Sequence, residues 1–332
     1  MEKIVNGILF EGQVLPDTWT FRVWESNGHR EISARPKVEW REVGPGKLPM
    51  AWEDYVAAAH DAAERAIRQA MWDADIAEKK ERSRRRSARR AKTTCRRVIK
   101  TAYFDEMLTV TYRENQQDVE LFKKHFKEWV RRMKRALGDF EYCAGFEPQE
   151  RGAWHAHVCC RKLPKVVGYE GVKVESYKLG TKIWRDVVGD TPDGKTNGLV
   201  YVGGKDAHGR PMRGRRTCAE MAAYVAKYIT KHAHLFPDEK NRYSRSDGIV
   251  PGTPYEITVS GVATVFDALL LAFQAGEGER VVNHRAKEGE DMYWLVTEPL
   301  KPPKRGMAMS RPLEQLTASE ALALSQVASM WA

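Results

Sequence analysis

Cysteine is scarce, at five in 332 residues, odd in number and without a C-x-x-C pair. Neither a disulfide scaffold nor a zinc ribbon is expected from that usage. Apolar runs of the roughly 18 residues that a membrane-spanning helix needs are missing as well. The first residues, MEKIVNGILFEGQ, lack the apolar core of an export signal. A protein of a reducing cytoplasm with no membrane partner is the expectation. Charge is also scarce outside one place. The 55 Lys+Arg exceed the 45 Asp+Glu by ten, yet Lys79 to Lys100 (KKERSRRRSARRAKTTCRRVIK) alone carries twelve Lys/Arg and one Glu, leaving the remainder at −1. Such a run is either a solvated helix face or a contact to a phosphate backbone, where each neutralised phosphate releases counterions. With 42% apolar and 30% charged residues the chain has the composition of a folded protein, neither disordered nor membrane-embedded.

Proline and glycine are absent from Trp52 to about Arg97, a stretch Ala-rich at first and basic later, which predicts one long helix. Residues 1–50 are rich in Gly, Pro and Trp without a sustained period and read as short strands and loops. MLTVTY (107–112) predicts a buried strand. Val119, Phe122, Phe126, Trp129, Met133 and Leu137 then share one helical stripe, which Gly138 ends. Two strand-like runs, FEYCAGFE (140–147) and AWHAHVCCR (153–161), flank a turn at Pro148–Gly152. From Lys162 to about Thr217 the chain is Gly-rich, with a short strand at 198–202 and basic loops. A helix is predicted over 218–232 (CAEMAAYVAKYITKH), another near 263–275, a strand near 291–297 and a terminal Ala/Leu helix over 317–331. Strand, helix, hairpin and helix in that order give an α+β fold with an antiparallel sheet. The chain divides at this stage into 1–100 with the basic helix, a candidate DNA-contacting arm, then 101–250, and an extension of unassigned role over 251–332.

His155 and His157 lie two apart on a strand, so both side chains leave one face. Among nine histidines that pair alone says little. A third residue sharpens it. If the hairpin turn is centred on Arg151, Glu147 opposes His155, and opposed Cβ atoms lie about 4.5–5.5 Å apart on one face. Glu147, His155 and His157 then make a one-carboxylate, two-imidazole set that suits Mg²⁺ or Mn²⁺ where phosphate oxygens complete the shell, and zinc fits the ligand types too. Glu150, in the turn, is the poorer carboxylate.

On the 218–232 helix, at 100° per residue, Tyr224, Tyr228, Lys227, Lys231 and Glu220 form a stripe beside the apolar Ala222, Val225 and Ile229. A surface helix with wet tyrosine hydroxyls is one reading. The other is a nucleophile that becomes covalently phosphorylated. Forming phenolate at pH 7 costs about 4 kcal/mol from a pKa near 10, which the lysines and a divalent metal could offset. Glu220 is either a water activator or an ordinary surface glutamate.

Together these residues resemble the HUH endonuclease superfamily, in particular the rolling-circle replication initiators of phages and plasmids. MLTVTYREN (107–115) looks like the first motif, GFEPQERGAWHAH (145–157) like the metal motif and AYVAKYITKH (223–232) like the tyrosine motif, with basic RYSRS following from Arg242. The resemblance covers about residues 101–250. It implies an RRM-like central antiparallel sheet flanked by helices, Glu147, His155 and His157 as ligands of Mg²⁺ or Mn²⁺, and Tyr224 and Tyr228 as nucleophiles helped by Lys227 and Lys231. Relatives use one tyrosine or two. The sequence leaves that choice open, with Tyr224 preferred as principal. The implied activity is site-specific nicking and rejoining of single-stranded origin DNA through a 5′-phosphotyrosine, in a bacterial host whose helicase and polymerase would be partners. Arg84, Arg85, Arg86, Arg89, Arg90, Arg213, Arg215 and Arg216 are the expected DNA contacts. Two alternatives remain: a non-catalytic nucleic-acid-binding protein on the same kind of sheet, and a transposase with the same metal motif.

Overall fold

In the computed structural model, which describes residues 1–47, 49–202, 216–231, 242–274, 279–287 and 292–301, two Asn-Gly pairs set the N-terminal strands. Asn6-Gly7 and Asn27-Gly28 both have positive φ at each residue (52° and 79°, 49° and 73°), as the hairpin turn matching strand twist requires. They join β1 (Glu2–Val5), β2 (Ile8–Ser26) and β3 (His29–Pro45) into an antiparallel meander. The short strands and loops expected here are therefore two long strands. The reason is burial. Between Trp19 and Ser26 nearly every residue is buried, whereas between Ile8 and Val14 residues facing both ways are at least partly exposed. Neither half alternates between buried and exposed.

The expected single helix is broken. α1 (Trp52–Ala57) stops at Ala58, and α2 (Ala62–Ala102) starts afresh. Asp61 accepts from Glu64 N (2.8 Å) while Glu64 accepts from His60 N (2.7 Å), a reciprocal cap that fixes a new helix start where no proline or glycine marks one. Trp52 Nε1 donates to Asp75 Oδ2 (2.8 Å) and ties α1 back to α2.

β4 (Glu106–Tyr112), α3 (Val119–Leu137), β5 (Tyr142–Pro148) and β6 (Trp154–Cys160) follow as the apolar patterns predict. Asp118 caps α3 by accepting from Glu120 N and Leu121 N, and Gly138 ends it at φ 74°. The Gly-rich stretch after Lys162 holds more structure than expected: a hairpin of β7 (Val166–Tyr169) and β8 (Val172–Glu175), then α4 (Ser176–Val188), before the short strand β9 (Gly198–Val202). Gly180 obscures α4 in the sequence. It sits on the buried face, where Trp129 Nε1 donates to its carbonyl (3.0 Å). α5 (Cys218–Lys231), β10 (Tyr243–Arg245), β11 (Tyr255–Ser260), α6 (Val265–Gln274), β12 (Glu279–Lys287) and β13 (Met292–Pro299) complete the described elements. The expected helix over 317–331 lies outside the described residues, and no described helix is long and apolar enough to cross a membrane.

The fold is α+β, with antiparallel sheets flanked by helices. Contacts divide it into one unit of Met1–Ser83 with Gly252–Pro302 and another of Arg84–Pro251, the division falling within α2. In the first, β1-β2-β3-β13-β12 form a sheet with β11 paired to β2, and α6 packs Ala268 and Ala272 against Phe21, Ile32, Tyr293 and Leu295.

The second unit is built on a sheet of order β10-β5-β6-β4-β9. Its even-numbered β4–β6 residues, among them Leu108, Val110, Phe146, Ala156 and Val158, pack under Phe122, Phe126, Trp129 and Met133 of α3 and Leu179, Ile183 and Trp184 of α4. Each such fully buried large side chain contributes about 1.5–3 kcal/mol. The odd-numbered face is half apolar: Met107, Cys143 and Cys159 pack against Cys95, Val98 and Ile99 of α2 and Met221, Ala222, Val225 and Ile229 of α5. All five cysteines are buried and reduced. Gly145 allows α5 to come this close, since a Cβ there would lie 2.9 Å from both Cγ1 and O of Val225. Gly145→Ala should therefore cost about 1–3 kcal/mol by denaturant unfolding, because backbone cannot yield as a side-chain tip can.

Candidate metal centre and tyrosine pair

The hairpin of β5 and β6 fixes the centre. Its register opposes Glu147 to His155 and Gly145 to His157, as a turn centred on Arg151 predicts. Arg151 secures that turn to the end of β4, donating to Tyr112 O (2.7 Å) and Arg113 O (2.5 Å). Gln149 adds a bond to Thr111 Oγ1 (3.1 Å). Glu150 is exposed in the turn, away from the face that carries the histidines.

Glu147 Oε2 lies 3.5 Å from His155 Nε2 and 3.3 Å from His157 Nε2, and the two Nε2 atoms are 3.1 Å apart. Donors about 2.1 Å from one ion lie roughly 3.0 Å apart in octahedral and 3.4 Å in tetrahedral arrangement. Edges of 3.1–3.5 Å thus fit three donors to a single cation. Among the described residues this is the one such cluster of histidine, cysteine and carboxylate side chains.

Both imidazoles are buried, at 7% and 6% exposure. Burial first, and the Arg216 charge second, hold His157 at a pKa of about 4, so it is neutral and ligand-competent at pH 7. Thr109, opposite His157 on β4, places Oγ1 3.2 Å from His157 Nδ1. That contact favours the tautomer in which Nδ1 donates and Nε2 is left as acceptor toward Glu147. Thr109→Val should accordingly weaken Mn²⁺ binding about 10- to 100-fold by calorimetric titration while leaving the fold intact.

α5 brings the tyrosines to the centre. Val225, Ala222 and Ile229 are buried, which turns Tyr224 and Tyr228 toward His157. The ring of His157 is 5.0 Å from that of Tyr224 and stacks 5.5 Å from that of Tyr228, and the two phenols are 5.2 Å apart. Tyr228 is the more deeply buried. Its pKa is pushed up by burial, then by its hydrogen bond with Tyr224, then by the charge of Glu147. Lys227 and Lys231 are exposed, each Nζ 5.9 Å from the Tyr228 ring.

The cation nearest Tyr224 is Arg216, its guanidinium 4.2 Å from the ring. From the sequence, Arg216 groups with the backbone contacts. No spacing ties it to Tyr224, because the contact depends on the path by which the chain enters α5. Thr109 and Gly145 likewise carry no signal of their own, being legible only once the strand order is known. Glu220 resolves to the ordinary reading: it accepts from Thr217 N (2.8 Å) while Thr217 Oγ1 accepts from Glu220 N (3.2 Å), a capping box at the start of α5.

Of the other expected contacts, Arg85, Arg86, Arg89 and Arg90 are exposed on α2 and Arg84 is half-buried. Arg213 and Arg215 lie outside the described residues.

Residues 105–233 match a family model of replication-associated proteins, the ORF2 type. The matched stretch contains Glu147, His155, His157, Tyr224 and Tyr228, and it supports a part in replication for this region. No curated protein and no solved structure matches the chain.

Proposed function

We propose that the protein nicks and rejoins single-stranded origin DNA to start rolling-circle replication, through a 5′-phosphotyrosine formed on α5. The observation that carries this reading is the meeting of two phenols with a buried Glu/His/His cluster, at ring distances of 5.0 and 5.5 Å from His157. Packing alone does not call for a carboxylate and two imidazoles directed at one point beneath two tyrosines.

In this reading Tyr224 Oη gives up its proton and attacks phosphorus, the bond to O3′ breaks, and the departing 3′ oxygen takes up a proton. The 5′ phosphate stays on the tyrosine and a polymerase extends the free 3′-OH. Rejoining runs the same exchange backwards, with the 3′-OH attacking the phosphotyrosine. When bound by Glu147, His155 and His157, Mg²⁺ or Mn²⁺ would supply Lewis-acid polarisation of the scissile phosphate. Arg216 offers a guanidinium beside Tyr224, where negative charge grows on the phenol oxygen. Tyr228 has its phenolate disfavoured by burial and by Glu147, which supports Tyr224 as first nucleophile and Tyr228 as its assistant or alternate. Lys227 and Lys231 serve the Tyr228 side. The exposed arginines of α2 hold the DNA backbone, and the host's helicase and polymerase act on the opened strand.

The test mixes protein, Mn²⁺ and oligonucleotides that tile the replication origin of the encoding element, then looks for a covalent protein–DNA adduct on denaturing gels. An adduct that appears with one origin strand and needs Mn²⁺ supports the reading. No adduct with any tile, or an equal yield from a variant lacking both phenols (Tyr224→Phe with Tyr228→Phe), overturns it.

A further inference from the structure

The row of side chains that begins at the metal cluster continues to the rim of the sheet. Gly145, His157, Thr109 and Tyr201 are directly opposed across β5, β6, β4 and β9, and opposed residues of antiparallel strands project from one face. Tyr201 therefore stands on the face that bears His157, two strands away, or about 10 Å at the usual strand spacing. β9 is an edge strand, and Tyr201 is 37% exposed there. Along β9 runs a groove of about 670 Å³ whose other wall is α4, contributing Tyr177, Lys178, Lys182 and Arg185.

Two features define what fits this groove. The first is aromatic: Tyr177 is 46% exposed and Tyr201 37%, so both rings offer surface that a flat, π-faced group could cover. The second is charge. Lys178 pairs with Glu175, and Lys182 with Asp186 at 3.3 Å. Both pairs are solvent-exposed, and such pairs contribute so little that a phosphate can replace the carboxylate at small cost. Arg185 is fastened to the strand, its Nε donating to Gly198 O (2.9 Å). Cations along a groove with interleaved aromatic rings suit a single-stranded polynucleotide, whose bases stack and whose phosphates take the positive charge. A peptide strand adding to the edge of β9 would call instead for pockets at alternate residues.

We propose that the groove between β9 and α4 holds the single-stranded flank of the substrate, with bases stacked on Tyr201 and Tyr177 and phosphates against Lys178, Lys182 and Arg185. This rests on the reading that single-stranded DNA reaches the Glu147/His155/His157 cluster. It adds the direction in which the strand leaves, across β4 and over the β9 edge.

The test uses the full chain without divalent metal, so that binding is read apart from cleavage. The probe is a fluorescein-labelled oligodeoxythymidylate of about 15 nucleotides. By anisotropy Tyr201→Ala should bind about tenfold more weakly than wild type, and Tyr201→Phe within about twofold, because the ring and not the hydroxyl stacks. Replacing Lys178, Lys182 and Arg185 together by Gln should lower the slope of log affinity against log salt by about 2. With 5-iodouracil in the probe, photocrosslinks should map to the peptides containing Tyr201 or Tyr177. Tyr201→Ala binding within about twofold of wild type, with crosslinks confined to other peptides, overturns the proposal, and a groove made for a peptide strand would give that result. Binding that behaves as expected in a protein that never forms an adduct would remove the nicking activity and leave the groove. An adduct-forming protein indifferent to Tyr201→Ala would remove the groove alone.

Discussion

Tyr224→Phe should lower strand cleavage by about a thousandfold or more and abolish the adduct on α5, whereas Tyr228→Phe should cost less than about tenfold in the first cleavage. The asymmetry has a physical basis. Both phenols touch the His157 ring, so proximity does not separate them. Charge and solvation do. Tyr228 lies deeper, and burial, its bond with Tyr224 and the Glu147 carboxylate all oppose its ionisation. Tyr224 is half-buried with a guanidinium against its ring. Mass spectrometry of the DNA-linked peptide should then find the nucleotide on Tyr224 in wild type. An adduct on Tyr228 in wild type, with Tyr224→Phe nearly fully active, would reverse the assignment. Equal loss from both variants would instead show that the two phenols act as one unit.

The second large effect concerns the metal. His155→Ala or His157→Ala should each reduce Mn²⁺ affinity by more than about a hundredfold, beyond what altering a neighbour of a ligand costs, and chelation of wild type should stop cleavage. A stability readout makes this independent of activity. A cation that binds only the folded protein stabilises it by about 2.7 kcal/mol at a hundred times its dissociation constant, so Mn²⁺ should raise the melting temperature of wild type and leave both variants where they were. Glu147→Gln provides a milder case, keeping the shape and one oxygen donor but removing the charge. A melting temperature that rises equally in wild type and in His157→Ala would place the cation elsewhere.

Parts of the site were legible before any fold. The Glu147–His155 pairing follows from two strand-like runs and a short turn, because antiparallel register is an arithmetic constraint once the turn's centre is chosen, and the structure has that register. Tyr224 and Tyr228 share a stripe because a helix repeats every 3.6 residues. Hairpins were legible too, in Asn6-Gly7 and Asn27-Gly28, although strands with uniform burial in each half hid their own extent. α4 escaped because Gly180 interrupts its apolar stripe. The start of α2 escaped because its cap is made of Asp61 and Glu64 with no glycine or proline nearby.

Local chemistry in the sequence thus determined which side chains leave which face, how the β5–β6 hairpin pairs and where α3 and α5 begin and end, since turns, caps and periodicity act over a few residues. Tertiary structure alone decided that α5 lies against Gly145 with its phenols on His157, that Arg216 reaches Tyr224 and that the triad's row ends at an exposed Tyr201. Those contacts join residues far apart in the chain, and they arise from packing whole helices onto a sheet whose strand order no short stretch of sequence encodes.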